Sequence, residues 1–144
     1  MPKFGPSEIV GSNLVRVYLD SAPLIYLVEN VVPYAPLVVA RLAQPGVTQL
    51  CSELTRLECR VKPMQDGETA LLTAFDSYFA EIITTIVPLS RQVLDQATEL
   101  RANYRFKTPD ALHLAAAIVG KCDLFLTNDR QLTQCAEITV ETIS

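Results

Sequence analysis

The sequence lacks the features that mark several broad classes of protein. No stretch approaches the roughly 20 apolar residues that a membrane-spanning helix needs, so we expect no association with a membrane. Residues 1–10 do not join a basic region to an apolar one, so we expect no export signal and a cytoplasmic location. No repeat, low-complexity tract or linker divides the 144 residues, a length that suits a single domain.

Cysteine and histidine are too scattered for the commonest sites that use them. No C-x-x-C pair occurs, which argues against a zinc site and favours reduced, mostly buried thiols. The four cysteines are Cys51, Cys59, Cys122 and Cys135. The only histidine, His113, has apolar neighbours, which favours a buried or supporting role over that of a catalytic base. No G-x-S-x-G segment supports a Ser-His-Asp hydrolase.

Basic residues are outnumbered by acidic ones, and the formal net charge is −4. A general nucleic-acid binder is usually basic, so any contact with nucleic acid must use a local basic patch or bound cations. The charge balance therefore disfavours passive nucleic-acid binding and leaves metal-assisted chemistry open.

The pattern of apolar residues predicts strands that alternate with helices after an irregular leader over residues 1–14. The predicted strands cover 15–19, 47–52, 82–89, 124–127 and 137–142. The predicted helices cover 21–29, 35–43, 52–61, 67–81, 90–104 and 108–120, and the helix over 52–61 is expected to end before a proline. This alternation predicts one domain over residues 15–144, a three-layer α/β/α sandwich with a mostly parallel central sheet.

Four acidic residues fall where ligands bind in parallel sheets, at or near the carboxyl ends of strands. Asp20 closes the first strand, Asp129 follows the strand over 124–127, and Asp110 lies in a first helical turn behind a capping threonine. Glu58 lies on the helix after the second strand.

Helical geometry favours Glu58 over Glu53 as the inward-pointing acid. Leu54, Leu57 and Val61 define an apolar stripe on this helix, and Glu58 lies nearer to its centre than Glu53 does.

Each acid also has a purely structural interpretation. Asp20 suits a helix cap or a turn, Asp129 suits an Asn-Asp turn, and Asp110 is favoured by the helix dipole alone. Thr55 and Glu58 match a capping box in which the helix starts late. Convergence of several acids raises the odds of function, because clustered carboxylates resist ionising unless a divalent cation such as Mg²⁺ or Mn²⁺ neutralises them.

Four segments together resemble the PIN domain, and most closely the VapC-like toxins of bacterial toxin–antitoxin pairs. They are "VYLDSAPLIYLVE", "SELTRLECRV", "TPDALHLAAA" and "LFLTND", and the resemblance covers residues 15–143. It implies a parallel sheet of four or five strands between helices. It also implies that Asp20, Glu58, Asp110 and Asp129 are the catalytic, metal-binding acids, and that Thr127 lies near the metal. Arg130, beside Asp129, is the basic residue best placed to contact RNA.

The activity implied by the resemblance is Mg²⁺- or Mn²⁺-dependent cleavage of RNA phosphodiesters by metal-activated water. Such toxins are typically homodimers that a cognate antitoxin protein holds inactive. Two alternatives remain: a PIN-like module that binds protein or RNA without cutting, and a phospho-acceptor receiver domain. The latter is disfavoured because no lysine closely follows "LFLTND".

Overall fold

The computed structural model describes residues 14–143, which contain five strands and six α-helices. The strands are β1 (Val15–Leu19), β2 (Val47–Ser52), β3 (Thr85–Val87), β4 (Leu124–Thr127) and β5 (Thr139–Thr142). The helices are α1 (Ser21–Glu29), α2 (Tyr34–Leu42), α3 (Glu53–Gln65), α4 (Thr69–Glu81), α5 (Arg91–Asn103) and α6 (Thr108–Val119), and a 3-10 helix covers Arg130–Gln134. Except for Leu14, the predicted leader lies outside the described residues.

The sheet is parallel throughout and runs in the order β3-β2-β1-β4-β5. The central strand β1 places Tyr18 opposite Leu50 of β2 and Phe125 of β4. Because every strand points the same way, the residues that follow β1 and β4 emerge side by side at one edge of the sheet. The predicted α/β class is confirmed.

Helices cover both faces of the sheet, because successive strand residues point to opposite sides. Tyr18 and Phe125 face the core formed with α5 and α6, whereas Val17, Leu19 and Leu126 face the core formed with α1 to α4. Each large apolar side chain buried in this way contributes about 1.5–3 kcal/mol of transfer free energy. The three predicted layers therefore have two separate apolar cores.

Several predicted boundaries are wrong by a few residues. Helix α3 continues past Pro63 to Gln65, because the amides of Asp66 and Glu68 still bond to the Lys62 and Pro63 carbonyls. Strands β3 and β5 are shorter than the β-branched runs that predicted them, and α4 begins two residues late. Helix α2 begins and ends one residue early, at Tyr34 and Leu42.

The prediction that the apolar stripe on α3 faces inward is also wrong. Leu57 and Val61 are 57% and 43% exposed, while Thr55 and Cys59 are buried against the sheet. Ser52 begins the helix, because its hydroxyl accepts a bond from the Thr55 amide and the Thr55 hydroxyl accepts one from the Ser52 amide. The capping box therefore joins residues 52 and 55, and Glu58 takes no part in it.

The predicted cap of α6 is wrong, and the glycine that follows this helix is explained by packing. Thr108 does not cap α6, since Lys107 occupies that position and the Thr108 hydroxyl accepts a bond from Arg101. Gly120 follows α6 with φ of −74°, so no left-handed turn requires it. A Cβ at Gly120 would lie 2.9 Å from Val87 Cγ2, and close packing is the reason for glycine there.

The cysteines are free, and three of them are buried, as expected. Within residues 14–143 no single helix is long and apolar enough to cross a membrane, although α1 and α2 pass that test together across a bend of 106°.

Candidate active site

Asp20 lies directly after β1 and also begins helix α1. One carboxylate oxygen accepts a bond from the Ser21 amide at 2.8 Å, as a helix cap does. The other accepts a bond from the Thr127 hydroxyl at 2.8 Å, at the end of the neighbouring strand β4. The side chain is 16% exposed. The structural and functional interpretations of Asp20 are therefore compatible.

Glu58 points from α3 toward Asp20. Its Oε1 atom accepts a bond of 2.6 Å from the Ser21 hydroxyl and lies 2.7 Å from Nε2 of His113. The same nitrogen lies 3.6 Å from Asp20 Oδ1. Burial by itself raises the pKa of Glu58, but the bonds from His113 and Ser21 outweigh it, and the net pKa is lowered.

His113 connects this edge to the protein interior. The ring is only 2% exposed, and its Nδ1 atom lies 2.7 Å from the Tyr18 hydroxyl. Tyr18 in turn donates to the Ser52 hydroxyl at 2.8 Å, next to Thr55 at 3.3 Å. Burial raises the pKa of Tyr18 well above its usual value, so the phenol stays protonated and available as a hydrogen-bond partner. The imidazole is thus held at both nitrogens.

Asp129 is connected to Asp20 through Thr127. The Asp129 amide donates to the Thr127 hydroxyl at 3.1 Å, and the same hydroxyl donates to Asp20. The Asp129 carboxylate accepts a bond from the Gln131 amide at 2.9 Å and thereby caps the 3-10 helix. The Thr127 hydroxyl therefore links Asp20, which follows β1, to Asp129, which follows β4.

Asp110 is half-buried in the first turn of α6, and no hydrogen bond or ion pair joins its carboxylate to residues 14–143. Burial raises its pKa, and the negative charges of Asp20 and Asp129 raise it further, against smaller opposing effects of His113 and Lys107. Asp110 therefore lies within electrostatic reach of two other predicted acids and lacks a neutralising partner.

The carboxylates suit a hard divalent cation chemically, but they do not form a closed metal site. Oxygen donors are what Mg²⁺ and Mn²⁺ prefer, and the unpaired, half-buried Asp110 carboxylate has free oxygens to offer. Across residues 14–143, however, no three His, Cys, Asp or Glu side chains are grouped so that they could hold one metal ion. The oxygen donors therefore suit a divalent cation, but among the described residues they do not converge on one point.

The basic residues near the acids fall into two groups. Ion pairs engage Arg56, Arg60 and Lys62 with acids on the surface. Arg130 is exposed and pairs with none of the residues that the structure describes.

The contact that sequence reasoning did not find is the one between His113 and Glu58. His113 was expected to be a buried or supporting residue, and its burial agrees. Its partners come from β1 and α3, and no local spacing reports such a contact. The one available signal was that His113 lies three residues after Asp110, on a similar face of α6.

A family model for the PIN domain matches residues 17–138. A comparison with curated proteins found no match.

Solved structures share the fold at low sequence identity. A toxin–antitoxin complex from Klebsiella pneumoniae is 19% identical with a TM-score of 0.72, over 89% of this chain and 98% of that chain. VapBC2 from Rickettsia felis, bound to a DNA fragment from its promoter, is 15% identical with a TM-score of 0.71, over 89% and 98%. Mycobacterium tuberculosis VapC20, a toxin that cleaves the sarcin–ricin loop, is 12% identical with a TM-score of 0.66, over 83% and 95%. The fold is thus that of VapC toxins, and the match to the family model over most of the chain shows that the protein belongs to the PIN-domain family.

Proposed function

We propose that this protein is a Mg²⁺- or Mn²⁺-dependent endoribonuclease and the toxin of a type II toxin–antitoxin pair. The observation that carries the proposal is the arrangement at the carboxyl edge of a PIN-type sheet. There Nε2 of His113 lies within 3.6 Å of both Asp20 and Glu58. The Thr127 hydroxyl bonds to the Asp20 carboxylate and to the Asp129 amide. Burial and the charges of Asp20 and Asp129 raise the pKa of Asp110.

In this proposal Asp20, Glu58, Asp110 and Asp129 would hold the cation, which supplies a water of lowered pKa and neutralises charge on the phosphate. The chain's own contribution is orientation. Asp20 is fixed by two bonds, so its position is set before substrate arrives. Glu58 has one oxygen bonded twice, and its other oxygen bonds to none of residues 14–143.

The direct test is cleavage of total RNA by the parent and by Asp20→Asn, each with and without Mn²⁺. Asparagine caps helices as well as aspartate does, so the variant should fold. We expect cleavage by the parent only, and only with the metal. Equal cleavage by Asp20→Asn would end the proposal.

A second candidate is a PIN-like module that binds protein or RNA without cutting. It is favoured by one observation, that the acids within residues 14–143 are not grouped as a closed metal site. It predicts stable binding and no metal-dependent turnover in the same assay.

A protein partner is supported by an exposed apolar strip on α3. Leu57, Val61 and Met64 are 57%, 43% and 58% exposed and line one cleft with Arg56 and Arg60. Contiguous apolar surface of this kind marks protein interaction sites. We propose that a cognate antitoxin covers it, and that the toxin itself is a cytoplasmic homodimer.

A further inference from the structure

A polar cleft of about 480 Å³ is lined by none of the predicted acids, and the proposed chemistry does not use it. Two segments form it, the connection between α5 and α6 and the 3-10 helix after Asp129. Its lining residues are Asn103, Tyr104, Arg105, Phe106, Gln131 and Gln134. Its volume falls within the range of sites for small ligands, about 300–1,000 Å³.

One segment is bonded to an acid of the candidate site, and the other precedes such an acid in the sequence. The Gln131 amide donates to the Asp129 carboxylate at 2.9 Å. The connection between α5 and α6 leads directly into α6, whose first turn holds Asp110. A molecule in the cleft would therefore lie against the segment that Asp129 caps and the segment that leads to Asp110.

One wall of the cleft is aromatic and held in place. The half-buried Tyr104 ring stacks on Phe106, which is only 6% exposed, with the ring centres 4.8 Å apart and an interplanar angle of 26°. The Tyr104 hydroxyl donates to Glu137 at 2.8 Å and accepts a bond from the Ala136 amide at 3.0 Å. Because these bonds fix the phenol, the wall is preformed and loses little conformational entropy when a ring or sugar packs on it.

The remaining lining groups are polar and free to bind. Arg105 is exposed, and its guanidinium bonds to none of residues 14–143. The side-chain amides of Asn103, Gln131 and Gln134 likewise have no partner within that described range. A guanidinium binds phosphate, amides pair with the edges of bases, and aromatic rings stack on bases.

We propose that this cleft binds one unpaired nucleotide of the RNA, adjacent to the bond that is cut; the inference rests on the proposed ribonuclease function. Arg105 binds the phosphate of that nucleotide, and the Tyr104 ring, supported from behind by the buried Phe106, packs against its base. The amides of Gln131 and Gln134 read the base edge. An acidic peptide would match Arg105 alone and leave the aromatic wall and the amides unused, which is why a nucleotide is favoured.

The test measures RNA affinity in the full chain carrying Asp20→Asn, which is expected not to cut. The probe is a fluorescein-labelled single-stranded RNA, and a matched series replaces one base at a time with an abasic nucleotide. We expect one abasic position to weaken binding by about 5- to 150-fold, the range for loss of one stacked base. Arg105→Ala should weaken binding of the intact RNA and reduce the salt slope by about 0.7, the value for one phosphate contact.

The matched control is Arg91→Ala, which makes the same charge change on an exposed residue at the start of α5, about 18 Å along the helix from Asn103. It should leave the affinity within twofold of the parent. In Tyr104→Leu, the abasic position that weakens RNA binding in the parent should weaken it much less, because the base there no longer has an aromatic ring to stack on.

Two results would overturn the proposal while the ribonuclease function stands. One is an equal effect of Arg105→Ala and Arg91→Ala, and the other is an abasic profile that is the same in Tyr104→Leu as in the parent. A chain that neither cuts nor binds RNA would instead refute the ribonuclease function, and the nucleotide site with it.

Discussion

At the scale of single residues, the site depends on how His113 holds Glu58. The ring is buried, fixed at Nδ1 by Tyr18, and within 2.7 Å of the carboxylate. In the proposed site Glu58 binds the cation. Removal of a residue that orients a metal ligand commonly lowers metal affinity or activity by about 10- to 100-fold.

We predict that His113→Leu lowers kcat by about 10- to 100-fold and stability by about 1–3 kcal/mol, because Glu58 loses a donor and buried polar groups lose a partner. His113→Gln keeps a donor of similar reach and should recover much of kcat. The measurement is cleavage rate alongside urea unfolding.

The control for this prediction is Leu114→Ala, a neighbouring buried residue of α6. It should cost about 2–5 kcal/mol of stability while leaving kcat of the folded protein unchanged. If His113→Leu and Leu114→Ala changed kcat equally, His113 would have no role beyond packing.

Asp110 and Glu58 are predicted to affect stability with opposite sign in the absence of divalent cations. The pKa of Asp110 is raised from 3.8 in the folded chain, so ionisation of this carboxyl group destabilises the fold. The loss of stability grows as pH rises from that value through the folded pKa. The pKa of Glu58 is lowered from 4.5, so its stabilising effect is present above that value and is lost as pH falls through the folded pKa.

The measurement is thermal unfolding in EDTA across pH. Asp110→Asn should be more stable than the parent at neutral pH, and Glu58→Gln less stable, with both differences vanishing in acid. An Asp110→Asn variant that is less stable than the parent at neutral pH would show that the charge of Asp110 is already compensated.

At the scale of single elements, the sequence predicts strands and helices well wherever the pattern reports burial. The strands over 47–52 and 124–127 and the helix over 21–29 have the predicted bounds, and each contains buried apolar residues: Leu50 and Cys51, Phe125 and Leu126, and Leu24. The stripe of Leu57 and Val61 has helical spacing but is exposed, since periodicity identifies an apolar face without telling whether the domain or a partner covers it.

The end of α6 gives a test of packing between elements. We predict that Gly120→Ala destabilises the protein by about 1–2 kcal/mol, because the new Cβ overlaps Val87 and the gain from a stiffer unfolded chain is smaller. The measurement is chemical unfolding.

Val87→Ala supplies the control, because it makes room for the added methyl group. The double variant should be more stable than the sum of the two single effects allows. Strict additivity would show that the close approach of Gly120 to Val87 is not the cause.

At the scale of the whole molecule, topology explains what the sequence could and could not predict about the site. Asp20 and Asp129 were predicted from their places after strands, and the strand order puts β1 beside β4. The link between Glu58 and His113 joins α3 to α6 across the end of the sheet, so it depends on packing of three elements that no local pattern encodes.

The most direct measurement for this account is calorimetric titration of Mn²⁺ into the metal-free chain at neutral pH, with Asp110→Asn alongside. The parent should bind Mn²⁺, and a concentration 100 times the Kd should add about 2.7 kcal/mol to its stability. Asp110→Asn should bind more weakly, because it loses a carboxylate whose pKa is raised by burial and by its acidic neighbours. Absence of Mn²⁺ binding by the parent, or equal binding by Asp110→Asn, would contradict the claim that these acids act together on one cation.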